Sequence, residues 1–99
     1  MAQMHKVSGV ATVIGFDRGL NYVQYHQTRV VEWNDLDIIL NTDGWRTPTT
    51  KTRMNQAANQ FGLNFCVMQR DRKWFVEYKN RMIPFEGETL CLSRIKGVK

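Results

Sequence analysis

The sequence predicts an α+β domain: an antiparallel sheet of about five or six strands with one central amphipathic helix, at about residues 49–61, packed on one face. Two observations lead to this prediction. Several short runs alternate apolar and polar residues between turn formers, which is typical of strands joined by tight turns. One stretch in the middle of the chain instead repeats its apolar residues at helical spacing.

Sequence signals bound the predicted helix at both ends. Pro48 disfavours a helical backbone at the residue before it, and Thr49 or Thr50 is the expected N-cap. Gly62 suits the left-handed residue that ends a helix. The apolar face is Met54, Ala57, Ala58 and Phe61. The polar residues expected on the other side are Thr52, Arg53, Gln56, Asn59 and Gln60.

Strand patterns lie on both sides of the helix. The predicted strands are residues 20–27, 28–33, 36–40, 63–69, 74–78 and 82–85, and residues 89–92 are a candidate for a last strand. The clearest hairpin joins 63–69 to 74–78 through the polar turn 70–73. Pro84 marks its strand as an edge strand or as a strand end, because proline cannot donate a ladder hydrogen bond. Trp33 and Trp74, inside alternating strands, are expected in the core.

The chain length predicts a single domain over residues 1–99. A hydrophobic fraction of 42%, with three Trp, three Tyr and five Phe, is a globular composition. Residues 1–19 are either a first strand or a loose arm, and residues 94–99 are expected to be a frayed basic tail.

Charge and cysteine usage narrow the class of protein. The chain has 14 Lys and Arg against 9 Asp and Glu, a formal charge of +5, which favours a polyanionic partner or an acidic protein surface. Cys66 and Cys91 lie in apolar runs, where a buried thiol and a reducing cytoplasm are expected. No apolar run is long enough for a membrane span or a signal sequence, so neither membrane nor export is expected.

The start of the helix has the composition of an anion site. Cations occupy the first turn, where acidic residues normally lie, and residues 45–70 contain no Asp or Glu. Helix N-termini that carry hydroxyls and cations bind phosphate. The candidate side chains are Arg46, Thr49, Thr50, Lys51 and Arg53. The alternative is an ordinary solvated helix face with a threonine cap.

Two further features suit a nucleic-acid ligand. Four amides, Asn55, Gln56, Asn59 and Gln60, each offer a donor beside an acceptor, as reading a base edge requires. Trp45 would stack on a base or nucleotide ring beside the phosphate site. It would equally serve to pack the loop onto the sheet.

No pattern in the sequence indicates catalysis. The glycines form no phosphate-binding loop of the Walker or dinucleotide type. His5 and His26 are the only histidines, and no spacing pairs either with Cys66 or Cys91. The two Cys and two His include no closely spaced pair of the kind that chelates a metal ion. We therefore expect a non-enzymatic protein without cofactor or metal.

Several segments carry a family resemblance: residues 25–28, 44–47, 49–51, 53–56, 59–63 and 74–76. Together they resemble a group of small proteins encoded in tailed-bacteriophage genomes, over most of residues 20–85. The group has no assigned activity, so the resemblance supplies no catalytic residues. It implies a protein made in the cytoplasm of an infected bacterium, and it is consistent with a role against the host.

These observations give one leading hypothesis and two alternatives. The leading one is a binding protein that engages nucleic-acid phosphate with the basic, threonine-rich start of the helix. The same site would alternatively sequester a small nucleotide, including a cyclic one. The third hypothesis is an inhibitor that docks on an acidic host-protein surface through Arg70, Arg72 and Lys73. A free edge strand would also allow a homodimer.

Overall fold

A computed structural model of the chain describes residues 12–44 and 47–95. The elements are β1 (Thr12–Asp17), β2 (Leu20–Tyr25), β3 (Thr28–Trp33), β4 (Asp37–Asn41), α1 (Pro48–Phe61), β5 (Phe65–Arg70), β6 (Lys73–Tyr78), β7 (Arg81–Pro84) and β8 (Thr89–Ser93). The predicted α+β class, with antiparallel strands and one helix, is confirmed. Residues 12–17, for which the sequence left two interpretations, form a strand.

The described strands form two sheets instead of the single sheet that the sequence predicts. The larger sheet has the order β1-β2-β3-β4-β8, and the smaller has the order β5-β6-β7. The division arises at the end of the chain, where β8 leaves the meander and pairs with β4 over Asp37–Asn41. Local alternation in the sequence cannot specify this pairing, because β4 and β8 are separated by the helix and three strands.

The helix lies over β2 and β3 and beside β5, so it joins the two sheets. Its buried apolar residues Met54, Ala57 and Ala58 meet side chains from both sheets in one core. Trp33 packs on Phe61 with ring centroids 4.7 Å apart, and Trp74 meets Phe85 edge-on. The expectation that both tryptophans belong to the core is confirmed.

The helix reaches β5 through the side chain of Asn55. The Asn55 Oδ1 accepts a hydrogen bond from the Val67 N–H at 2.7 Å, and its Nδ2 donates to the Val67 carbonyl at 3.0 Å. Since Val67 is 2% exposed, both backbone groups would otherwise lack a partner. The amide thus takes the place that a neighbouring strand would occupy along β5.

The chain reverses direction between α1 and β5. Gly62 has φ +66° and ends the helix in the left-handed conformation, as its position in the sequence predicts. The Leu63 N–H then donates to the Ala58 carbonyl at 3.0 Å. Because Val67 meets Asn55 in the middle of the helix, β5 runs back along α1. Arg70 therefore lies towards the end of the molecule where the helix begins.

Two further expectations, on the cysteines and on the end of the chain, are wrong. Cys66 and Cys91 are exposed, because each points to the outer face of its strand while its neighbours fill the core. Partial loss of hydration at the Cys91 thiol, together with the nearby Asp37 carboxylate, nonetheless raises the pKa of Cys91. Arg94 is not frayed: its N–H donates to the Leu36 carbonyl at 2.8 Å and its guanidinium donates to the Asn34 carbonyl at 2.6 Å. Residues 96–99 lie outside the described part.

Replacing Asn55 with alanine should lower the free energy of unfolding by about 2 kcal/mol, because two buried backbone groups of Val67 lose their partners. Urea unfolding monitored by circular dichroism measures this change. Thr52→Ala, one turn earlier on the same helix, is the matched control and should change stability by less than about 0.5 kcal/mol. Equal stability of Asn55→Ala and the control would show that the amide does not join helix and sheet.

Candidate functional site

Thr47 is the N-cap of the helix, and the expectation of Thr49 or Thr50 at this position is wrong. Thr47 has an extended backbone (φ −109°, ψ 160°), and its Oγ1 accepts a hydrogen bond from the Thr50 N–H at 3.2 Å. Pro48 forces this arrangement, since it restricts the residue before it to extended geometry and is itself well suited to the first helical position.

The cap leaves few backbone donors for an anion. Pro48 has no N–H, and the Thr50 N–H is bonded to Thr47 Oγ1. The Lys51 N–H donates to the Thr47 carbonyl at 3.1 Å. Among the helical residues 48–51, all of which are described, this leaves the Thr49 N–H as the one backbone donor not accounted for. Phosphate recognition here would therefore depend on side chains more than on the helix amides.

The predicted hydroxyls and cations at the helix start do not converge on one point. Thr50 is 2% exposed, and its hydroxyl is bonded to that of Thr47 at 3.2 Å. Arg53 turns towards β1 and β2: its Nε donates to Thr12 Oγ1 at 2.9 Å and its guanidinium lies over the Tyr25 ring. Thr49 and Lys51 are half-buried. Trp45 and Arg46 lie outside the described residues.

The four helix amides that the sequence predicts for base reading do not form an accessible row. The Asn55 amide is hydrogen-bonded to the backbone of Val67 on β5. Gln56, expected on the polar face, is 2% exposed. Helical spacing predicts the direction in which a side chain points from the helix axis. It does not predict which other parts of the chain cover that side chain. Asn59 and Gln60 are exposed, and both already take part in polar interactions.

A cleft of about 590 Å³ opens beside the start of the helix. It lies between the turn that joins β2 to β3, the loop after β4, and the first turn of α1. Its lining residues are Tyr25, His26, Gln27, Thr28, Val30, Thr42, Asp43, Thr47 and Thr50. Of the predicted site residues that the structure describes, only Thr50 belongs to this lining. The cleft joins three segments that are distant in sequence, so no local motif could have predicted it.

The lining combines an aromatic wall with a polar rim. The rings of Tyr25 and His26 are 4.3 Å apart between centroids, and the left-handed backbone of His26 (φ +57°) places it in the turn. On the rim, Thr28 Oγ1 donates to Asp43 Oδ2 at 3.2 Å. Val30, which is 1% exposed, supplies an apolar surface. Such a lining suits a flat ring that has hydrogen-bonding groups at its edge.

From the helix start to the end of β5 the charged residues are all cations, whereas the cleft rim itself carries the Asp43 carboxylate. The helix, the following turn and β5 contain Lys51, Arg53 and Arg70 and no carboxylate. The turn that follows β5 adds Arg72 and Lys73, both exposed, together with Asp71. Since β5 runs back along the helix, these cations lie towards the same end of the molecule as the helix start.

Comparison with known proteins identifies the family. The family model of the Kyanoviridae Gp96 protein matches residues 2–91. The chain belongs to this family. This match confirms the resemblance to small phage-encoded proteins. The family description assigns no activity to its members. Neither the curated proteins nor the solved structures contain a match.

The described residues contain neither a metal-binding cluster nor a membrane-spanning helix. In residues 12–44 and 47–95, no three His, Cys, Asp or Glu side chains are grouped so that they would hold a metal ion. Over the same residues, no helix is both long enough and apolar enough to cross a bilayer. The side chains that line the cleft offer hydrogen-bonding groups, two aromatic rings and one carboxylate.

Substitution of Thr47 by alanine should destabilise the protein by about 1 kcal/mol, because the Thr50 N–H and hydroxyl lose their partner. Thr49→Ala, two positions later, should cost less than about 0.5 kcal/mol. Thermal unfolding of both variants measures the difference. A larger loss for Thr49→Ala would contradict the assignment of Thr47 as the cap.

Proposed function

We propose that this phage protein binds single-stranded nucleic acid and holds one nucleotide unit in the cleft beside the helix start. The observation that carries the proposal is an aromatic and hydroxyl-lined cleft at the start of a helix that carries cations and no carboxylate. The base would stack on the aromatic wall, and neighbouring phosphates would meet Lys51 and Arg70.

Three features favour a single strand over a duplex. The cleft is concave and its volume suits one ring system with its sugar, whereas a base pair inside a duplex exposes only its edges. The helix amides that would read those edges are engaged or buried. Asp43, on the cleft rim, would accept a hydrogen bond from a base amino group or a sugar hydroxyl.

A free nucleotide is the second candidate, since the cleft volume suits one nucleotide. The cap at Thr47 argues against it. With most helix-start amides already bonded, one nucleotide would find few donors for its phosphate. A strand gains additional phosphate contacts with separate cations, and these contacts add to its affinity.

Fluorescence anisotropy of a labelled single-stranded oligonucleotide, measured at rising salt, tests the proposal. Lys51→Ala and Arg70→Ala should each weaken binding and lower the slope of log affinity against log salt by about 0.7, the value for one phosphate contact to a single strand. Arg81→Ala is the matched control. It removes the same charge at the opposite end of the small sheet, and it should leave the slope unchanged.

A stacking variant separates the base from the phosphate. Tyr25→Leu keeps an apolar side chain but removes the ring, and it should weaken binding about tenfold without changing the salt slope. Competition by unlabelled mononucleotide at concentrations comparable to the oligonucleotide would favour the free-nucleotide alternative. Absence of oligonucleotide binding at low salt, or an equal effect of Arg81→Ala, would contradict the proposal.

A further inference from the structure

β1 is an edge strand that carries exposed apolar side chains. Val13, Ile14 and Phe16 are 52%, 46% and 68% exposed. Among the described strands, β1 pairs only with β2, so one side of its backbone has no strand beside it. Ile14 lies opposite Val23, which is 0% exposed, and so Ile14 and Phe16 continue the core-facing side of the sheet beyond the helix.

The other described sheet edges carry features that oppose pairing with another chain. The Asn55 amide occupies the Val67 backbone on β5. β7 contains Pro84, which cannot donate to a new ladder. On β8, the Lys79 ammonium donates to the Ser93 carbonyl at 3.2 Å. β1 has no proline and no charge from Thr12 to Phe16. Such protection is how proteins normally prevent edge pairing, and β1 lacks it.

The turn at Arg18 and Gly19 determines which backbone groups of β1 face outwards. Both residues have positive φ (55° and 82°), as a two-residue type I′ hairpin requires. In such a hairpin the residues that flank the turn, here Asp17 and Leu20, form a hydrogen-bonded pair. Hydrogen-bonded and non-hydrogen-bonded pairs alternate from there. The N–H and C=O groups of Thr12, Ile14 and Phe16 therefore point away from β2.

A second copy of this chain fits that edge. In antiparallel pairing about a two-fold axis at Gly15, each Ile14 lies opposite the partner's Phe16, with their outward backbone groups bonded. The two Ile14 and two Phe16 side chains then cover one another on one face of the joined sheet. Asp17, which is paired with Arg29 at 3.2 Å, lies opposite the partner's Val13, so no like charges face each other.

Gly15 suits the position on the axis. The Tyr22 ring lies across it, and a Cβ at Gly15 would stand 2.4 Å from the Tyr22 Cζ and Oη atoms. The glycine therefore places no side chain between the two strands where the backbones come closest, and the ring closes that face of the sheet. The Arg29 guanidinium, 4.0 Å from the Tyr22 ring centroid, holds the ring from its other side.

We propose that this protein forms a homodimer through antiparallel β1–β1 pairing, which joins the two five-stranded sheets into one. Six residues a side bury less surface than the roughly 1,200 Å² of a standard stable interface. The interface therefore belongs to the class of weak, transient contacts, and we expect the dimer to dissociate on dilution. This proposal does not rest on the nucleotide cleft, because none of the β1 residues lines it, although Thr12 at the start of β1 lies opposite the cleft residue Tyr25.

Sedimentation velocity of the full chain over a range of protein concentrations tests the proposal. The wild type should shift from monomer to dimer, and Phe16→Lys should raise the dissociation constant at least tenfold. Leu36→Lys is the matched control, since Leu36 is a comparably exposed apolar residue (53%) in the turn between β3 and β4. It should dimerise as the wild type does. Far-ultraviolet circular dichroism verifies that both variants fold.

Amide hydrogen exchange of the wild type gives a test that needs no variant. The outward N–H groups of Ile14 and Phe16 should exchange more slowly as the protein concentration rises, while that of Gly15, already bonded to β2, should not respond. A monomer at all concentrations up to about 1 mM overturns the proposal. So does a dimer in which Ile14 and Phe16 exchange at a concentration-independent rate, or one that Leu36→Lys disrupts equally.

Discussion

The pair of hydrogen bonds between Asn55 and Val67 is the constraint on which the rest of the architecture depends. A helix and a strand have no backbone hydrogen bonds to share, because each satisfies its groups internally or with another strand. Asn55 resolves this with one side chain that presents a donor and an acceptor to the buried backbone of β5. The helix can therefore lie beside β5 and still cover β2 and β3, so that two sheets of different size share one core.

Internal hydrogen bonds also determine which backbone groups of the candidate site can meet a ligand. Thr47 satisfies the helix start from within the chain, and Pro48 removes a further donor, so the amides that make many helix N-termini phosphate sites are largely used. What remains is a cleft with ring faces and hydroxyls on one side and separate cations further along the helix and β5. That division favours a ligand that offers a ring and several phosphates spaced along a chain.

Local sequence patterns predicted the local parts of the structure well. The helix begins and ends within a residue of the expected positions because Pro48 and Gly62 restrict the backbone directly. The strands near the tight turns were equally predictable. The separation into two sheets was not predictable, since it depends on the pairing of β8 with β4, which the helix and three strands separate in sequence. The same limit applies to function: the sequence identified cations at the helix start, but it could not show that Asn55 and Gln56 are taken up by the fold, nor that the β2–β3 turn meets Thr47.

The central claim is that a nucleotide unit occupies the cleft between the β2–β3 turn and the helix start. The most direct measurement is a nuclear magnetic resonance titration of ¹⁵N-labelled protein with a short single-stranded oligonucleotide, following every backbone amide. The account predicts that shifts concentrate at Tyr25, His26, Thr28 and Thr47 and extend along the start of α1 towards Arg70. Shifts confined to the exposed residues of β1, or to the turn around Lys79 at the opposite end of the small sheet, would contradict it.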